Sequence, residues 1–392
     1  MALVRLRASG TATSWIWEFH TRICQWKKTS PAFFNLRRFA STKRQQQAIQ
    51  ENVTGLVYLS TSSNVFCNLA FEDWVYNNTD LSKTSIMLLW RNDPCVVIGR
   101  HQNPWAEVNL RLLWSSQVKL ARRRSGGGTV YHDLGNLNIT FFTSRERYNR
   151  SENLNLISRA IQRNWPHLSV SITERDAMVV DNFFKISGTS SKLGRKIAYH
   201  HCTLLHSVNT HKLKELLNVS KKGLQSNATA SVRSTVKNLA DIEPAICHTS
   251  LIKCISNEFY SQFTPYKENQ IYKIDPKDEA TWNGLSTLQS ELESWQWVYG
   301  KTPRFSVTEQ RGGITVIVHV HHAKIEGVVV QAPDGWLDVE LVQRFTECLH
   351  GQHFWSQSVA DAASALLGDE RTDHNTLRKY RLLASMIRDA AS

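Results

Sequence analysis

No run of about 18 consecutive apolar residues occurs in this 392-residue chain, so no membrane-spanning helix is expected. No Cys-x-x-Cys pair occurs either. The seven cysteines (Cys24, Cys67, Cys95, Cys202, Cys247, Cys254, Cys348) are odd in number and scattered. That argues against a zinc ribbon or a disulfide framework and fits a reducing compartment. GxGxxG and GxxxxGK[ST] are both missing, so a phosphate site here would be neither a dinucleotide fingerprint nor a P-loop. Internal repeats are missing too. Acid is nearly missing from the first 50 residues, where Glu18 stands alone against Arg5, Arg7, Arg22, Lys27, Lys28, Arg37, Arg38, Lys43 and Arg44. That segment carries +8 of the formal +13 and leaves +5 for the rest. The basic balance therefore belongs to a leader, and a nucleic-acid-binding reading loses its main support.

What is present begins with that leader. Residues 1–40 are rich in Arg, Ser, Thr and aromatics and suit a basic amphipathic helix, the composition of a mitochondrial transit peptide. Arg37-Arg38-Phe39 before Ala40-Ser41-Thr42 looks like a matrix-processing site, so the mitochondrial matrix is the expected location. A hydrophobic content of 41% with 13 tryptophans is ample for a globular core, and the length admits two domains.

Apolar periodicity predicts strands over 55–60, 85–90, 95–99, 137–142, 170–172, 176–180, 183–186 and 197–205, with 118–121 leading into a glycine loop. Helical spacing predicts helices over 64–76, 105–116, 153–165 and 251–263. Residues 213–241 are dominated by Ser, Thr, Asn and Gly and read as a mobile loop suited to a lid. Trp282, Trp295 and Trp297 are expected to close the core of this first domain. From residue 303 short alternating strands (305–309, 313–320, 324–330) precede helices over 337–349, 356–367 and 372–387. The expected class is α+β, with mixed and antiparallel sheets flanked by helices. The expected division is a leader 1–40, a catalytic domain 45–302 and a small α+β accessory domain 303–392.

Two stretches carry the chemistry. Residues 122–142 hold Arg122, Arg123 and Arg124, then Ser125-Gly126-Gly127-Gly128, Thr129-Val130-Tyr131 and His132-Asp133, ahead of an alternating tail. Glycines accept positive φ and close backbone approach, so such a run forms a concave loop of N–H groups that can bind an anion. Arginine adds fork-like donors suited to phosphate. Residues 184–205 place Lys185 among Phe183, Phe184 and Ile186, followed by Ser187-Gly188 and His200-His201-Cys202-Thr203. A lysine in an apolar setting is costly unless an anion meets it.

Together these stretches resemble the lipoate–protein ligase and lipoyltransferase family, related in fold to biotin protein ligases. The family pattern RRxSGGGxVxHDxGN stands here at 122–136, KxSG at 185–188 and HHxTLL at 200–205. Trp90-Arg91-Asn92, Val97-Ile98-Gly99-Arg100, Gln102-Asn103-Pro104-Trp105, Ser231-Val232-Arg233-Ser234 and Lys237-Asn238-Leu239 extend the likeness. With the leader, the chain looks like the animal mitochondrial branch.

The resemblance implies a biotin/lipoate protein ligase-like catalytic domain and amide formation. A lipoyl group activated as lipoyl-AMP would pass to the ε-amine of a lysine on a lipoyl domain. The implied acceptors are the E2 subunits of 2-oxoacid dehydrogenases and the glycine cleavage H protein. Lys185 would be catalytic, meeting the acyl carbonyl and the phosphate. Arg123 would face the nucleotide, with Arg122 and Arg124 left as solvated charges. Ser125, Gly126, Gly127, Gly128, Thr129, Val130 and Tyr131 would line the adenylate. Tyr131 stands where some members carry Phe, so its hydroxyl could contact phosphate or ribose. Arg175, Ser187, Gly188 and Thr203 fall at ligand positions, Thr229 and Ser231 at adenine or ribose positions, and Trp90 on the lipoyl tunnel. Cys202 beside His201 invites a thiol nucleophile, but other members carry small residues there. His319, His321 and His322 lack further ligands nearby in sequence, so no metal is expected. No tightly bound cofactor is implied; ATP and Mg²⁺ enter only if a full ligase activity is retained. A monomer is expected, without nucleic-acid or membrane partners. The other readings are a complete ATP-dependent ligase, a relay from H protein to E2, and an idle binding module of the same fold.

Overall fold

β6 (Asn136–Ser144) alternates polar and apolar residues, yet every position but the last is buried because both its faces are covered. Leu137, Ile139 and Phe141 enter one core with the helices Arg150–Asn164 and His248–Tyr260. Phe142 enters the other, with the helices Val65–Asn78 and Leu285–Glu293. The computed structural model describes residues 53–219, 223–263, 270–368 and 372–392, so the leader read over 1–40 lies outside it.

β6 is central to a six-stranded sheet with β1 (Thr54–Ser60), β2 (Thr84–Trp90), β10 (Thr189–Leu193), β11 (Ile197–Leu205) and β13 (Ile271–Ile274). The order is β10-β11-β6-β2-β1-β13. It is antiparallel from β10 to β2 and parallel from β2 to β13. A second sheet joins β3 (Cys95–Ile98) to β4 (Lys119–Arg122) in parallel and to β5 (Val130–His132) in antiparallel. A third is the meander β7 (Val170–Ile172), β8 (Met178–Val180) and β9 (Phe184–Ser187). The fourth, β12 (Leu224–Ser226), β14 (Phe305–Arg311), β15 (Ile314–His321) and β16 (Lys324–Gln331), is antiparallel throughout. The helices Val339–Leu349, Ser356–Leu367 and His374–Ala390 share its core. The α+β class with mixed and antiparallel sheets is as expected.

Four local expectations change. The helix expected over 105–116 is two short ones, Pro104–Glu107 and Leu110–Ser115. The Asn109 side chain caps the second by accepting from the Leu112 N–H at 3.2 Å, which breaks the helix between them. Within 213–241, the helix Thr210–Leu217 occupies the start, and β12 pairs with β14 some 80 residues on. Trp282 does pack in the first core, its ring 5.1 Å from Phe71. Trp295 instead stacks on Tyr299 and His353, at 4.3 and 4.5 Å.

The fourth change concerns Arg122 and Arg124, which are not solvated. Arg122 is fully buried and donates to the carbonyls of Gly99, Arg100, Gln102 and Val298 and to the Thr302 hydroxyl. Arg124 pairs with Asp73 at 3.1 Å and Glu291 at 2.6 Å and lies 3.9 Å over the Trp297 ring. Strand β4 ends at Arg122 and delivers that side chain among carbonyls that need donors, while Arg124, two residues on, meets two carboxylates; local composition reveals neither. The same region meets the C-terminal segment, where Trp105 stacks on Phe305 at 5.3 Å and donates to the Ala391 carbonyl at 3.2 Å.

Candidate active site

The glycine loop is built around Arg123. This side chain is buried, and its guanidinium donates to Ser125 Oγ at 3.1 Å, Val97 O at 3.2 Å, Gly126 O at 2.6 Å and Gly128 O at 2.7 Å. Burial lowers its pKa to about 10. Loop carbonyls gather on this cation, so the loop is curled around a charge instead of hanging free. Gly127 sits at φ +81°, and a Cβ on Gly99 would fall 2.1 Å from Gly127 O. Two backbones approach there more closely than any side chain permits.

A buried polar chain stands behind the loop. Ser125 Oγ lies 2.9 Å from His201 Nε2, and His201 Nδ1 lies 2.9 Å from Glu72 Oε1. Thr140 Oγ1 donates to the same carboxylate oxygen at 2.8 Å and accepts from Trp90 Nε1 at 3.0 Å. Burial alone would raise the Glu72 pKa, but His201 and the hydrogen bonds from His201 and Thr140 bring it below the ordinary value. Charge is thus stored under the loop as a hydrogen-bonded carboxylate.

In front of the loop lies the segment expected to be a mobile lid. It is pinned at both ends. Thr229 N donates to His101 O at 3.1 Å and Ser231 N to Glu107 Oε1 at 3.1 Å. Ser231 Oγ accepts from Thr129 N and from Gln102 Nε2, both at 2.9 Å. Further on, Lys185 N donates to Thr235 O at 2.9 Å and Lys237 N to Lys185 O at 3.2 Å. The polar residues that suggested mobility find their partners in distant segments.

Lys185 sits on β9 between these parts. Its ammonium has no hydrogen-bond or ion-pair partner among the described residues, and burial lowers its pKa. The chain reaches over Gly188, where an added Cβ would be 3.6 Å from Nζ. Two cavities, of about 520 and 760 Å³, meet here and share Thr129, Val130, Lys185, Gly188, Thr203 and Ser231 as walls.

Of the remaining expected residues, Trp90, Arg123, Gly127, Gly128, Arg175 and Thr229 line the larger cavity, and Tyr131 the smaller. Arg175 is exposed on the β7–β8 turn, free of ion pairs among the described residues. Ser125, Gly126 and Ser187 line neither: Ser125 and Ser187 are buried, and Gly126 O is taken by Arg123 and by Ser190 Oγ at 2.8 Å. Burial, followed by the Asp133 carboxylate, raises the pKa of the Tyr131 hydroxyl. Thr203 Oγ1 accepts from Gly188 N at 3.1 Å. Cys202 lines the larger cavity, but burial pushes its thiol up to about 12, which leaves little thiolate.

Sequence reasoning singled out neither Gln102 nor Glu107 as part of the site, although both tie the lid to the loop. It also passed over Asn136, Asn138, His132 and Arg233 as cavity walls. Asn136 and His132 stand inside the quoted motif, and Asn138 follows Asn136 by one strand period. That spacing was the available signal.

Two buried histidines make acid stability predictable. Burial, then Arg123 and His201, lower His132 to about 3. Burial, then His201 and Arg150, lower His200 to about 3. Between about pH 6.5 and 3 the unfolded chain binds these protons and the native chain does not, so stability falls as pH falls through that window. The slope is about 1.4 kcal/mol per pH unit for each such proton. Denaturant midpoints measured from pH 7 to 4 should decline, and His200→Gln should flatten the decline; an unchanged slope refutes the neutral buried state of His200.

Residues 64–260 match the lipoyl protein ligase A/B catalytic domain. The human mitochondrial lipoyl amidotransferase is 42% identical over 344 residues, spanning 85% of this chain and 91% of its own length. Lipoate-protein ligase A of Bdellovibrio bacteriovorus is 31% identical over 318 residues, spanning 80% of this chain and 92% of its own. Among solved structures, P. falciparum LipL1 in complex with lipoate superposes with a TM-score of 0.56 at 24% identity, over 86% of this chain and 100% of that one. The archaeal bipartite lipoate protein ligase of Thermoplasma acidophilum does so at 0.51 and 20%, over 63% and 96%. The two structural likenesses establish the fold, and the sequence identities with the matched catalytic domain establish more: this chain is a member of the lipoyl protein ligase A/B family.

Proposed function

We propose that this enzyme joins a lipoyl group, delivered as lipoyl-AMP, to the ε-amine of a lysine on a lipoyl domain. The observation that carries this reading is the Lys185 ammonium, half-buried and unpartnered among the described residues, on the wall common to two cavities. The acyl chain occupies the larger cavity against Trp90, the nucleotide extends into the smaller, and the acyl-phosphate junction meets Lys185. Positive charge there offsets the charge that develops as AMP departs. Gly128, Thr129, Val130, Thr203, Gly188 and Ser231 flank the junction, and Arg175 and Thr229 the larger chamber. Arg123 acts by holding the loop, with Ser125 and Gly126 as its frame, and Ser187 supports Gly188 from behind the cavity wall. Positioning and leaving-group stabilisation then suffice, without a covalent enzyme intermediate.

In this reading residues 45–302 form the catalytic unit and 303–392 an accessory unit. The acceptors are lipoyl domains of 2-oxoacid dehydrogenase E2 subunits and the glycine cleavage H protein, and the enzyme works in the mitochondrial matrix as a monomer. Support for the compartment comes from the basic leader and from the mitochondrial human and mouse amidotransferases. Deleting residues 1–40 should leave transfer intact in vitro and end import in cells; unchanged localisation refutes the leader reading.

The donor is tested by mass, with an apo lipoyl domain as acceptor. Product from lipoyl-AMP alone identifies a transferase. Product from lipoate with ATP and Mg²⁺ identifies a full ligase, and product from lipoylated H protein a relay between carriers. No product from any donor overturns the enzyme reading in favour of a binding module.

A further inference from the structure

Asn138 lies outside the motifs of the sequence, and packing brings it to the chemistry. It is buried on β6 at 2% exposure. In the sheet it faces Thr203 of β11 on one side and Trp90 of β2 on the other. Directly paired residues present their side chains on the same face, so Asn138 stands between the wall of the acyl chamber and the Thr203–Gly188–Lys185 cluster. Its Oδ1 accepts from Asn136 Nδ2 at 3.0 Å, which orients the amide. Its Nδ2 has no hydrogen-bond partner among the described residues, and the residue lines the larger cavity. A buried amide N–H left unpaired is costly unless something entering the cavity accepts from it. Two more groups mark where that acceptor sits. A Cβ on Gly188 would lie 3.6 Å from Lys185 Nζ and 3.8 Å from Thr203 Oγ1, so the ammonium and the strand pair that includes Asn138 border one spot.

We infer that Asn138 is a second catalytic residue of the transfer, its side-chain N–H receiving the acyl carbonyl oxygen together with the Lys185 ammonium. The inference rests on the lipoyl-AMP reading above. The acceptor amine nitrogen bonds to the carbonyl carbon, and the C=O π pair moves onto oxygen, where Asn138 and Lys185 meet it. That pair then returns and the carbon–oxygen bond to phosphate breaks. AMP leaves with the bonding electrons, and the new amide nitrogen gives one proton to water. A neutral amide donor suits this place. It strengthens with the charge on oxygen and adds no second cation beside Lys185.

The test uses the full chain loaded with lipoyl-AMP labelled with ¹³C at the acyl carbonyl, in wild type, Asn138→Ala and Asn138→Asp. Infrared spectroscopy reads the carbonyl stretch of the bound adenylate, and a single-turnover assay reads transfer to an apo lipoyl domain. The expected result is a higher stretching frequency in both variants, a rate lower by about 10²–10³, and an affinity for lipoyl-AMP that falls by much less than the rate. If Asn138→Ala does not fold, Asn138→Asp decides the question, being nearly the same in shape but without the donor. An unmoved carbonyl band overturns the inference whether or not the rate falls, because a packing role would slow transfer without touching the carbonyl. Failure of the wild type to bind or use lipoyl-AMP overturns the donor reading and this inference with it, and that failure shows in the wild type alone.

Discussion

Lys185→Ala should abolish lipoyl transfer and leave the fold as stable as before. The two halves of that result follow from one fact: the ammonium is partly buried and meets no carboxylate among the described residues, so the folded protein gains nothing from it. Removing it relieves a desolvated charge, and the denaturant midpoint should hold or rise slightly. The transition state, in contrast, loses the cation placed at the acyl-phosphate junction. Loss of a single preorganised donor slows comparable reactions by about 10²–10³, and a full charge should cost at least that much. Lys185→Arg should not rescue, because a planar fork cannot occupy the place of a compact ammonium over Gly188. Single-turnover transfer and urea denaturation read the two halves separately. Transfer within tenfold of wild type would sink the assignment of Lys185.

Arg122→Leu should do the opposite, with stability lost first and activity lost through it. The side chain is wholly enclosed and holds four backbone carbonyls and the Thr302 hydroxyl. Leucine fills much of the volume but leaves those acceptors dry. Each buried unsatisfied acceptor costs about 1–3 kcal/mol, and neighbours do not add fully, so a net loss of about 3 kcal/mol or more is expected. Arg122→Lys should recover little, because one ammonium cannot reach carbonyls that lie on both sides of the guanidinium. Urea denaturation measures the loss, and a loss under about 1 kcal/mol would show that the turn finds other donors. Because Gly99, one of the carbonyls held, abuts Gly127, the glycine loop should loosen in the same variant.

Much of the fold was legible because its signals are local. The hairpin that presents Lys185, the alternating strands after residue 303 and the three C-terminal helices all follow from periodicity over a few turns or a few pleats. The candidate site was marked in a different way, through the motif around Ser125–Gly128 and Lys185–Gly188, of which Gly127, Gly128, Lys185 and Gly188 stand on the walls of two joined cavities while Ser125, Gly126 and Ser187 do not. What misled was polarity read without partners. Arg122 and Arg124 look like solvent-facing charge, and the Ser- and Thr-rich segment around Ser231 looks loose. Both are held by residues far away in the chain.

The amino-acid sequence by itself determined the α+β class, the family, the glycine loop and the lysine opposite it, because each depends on residue types at short spacing. Only the tertiary structure decided which polar groups are spent and which are left free for a ligand. Arg122 is taken by Val298 and Thr302, 176 and 180 residues on, and Trp105 by Ala391, 286 residues on. Asn138 and Lys185 keep donors without partners among the described residues. A hydrogen bond needs two groups within about 3 Å in space, and neither composition nor periodicity carries that distance.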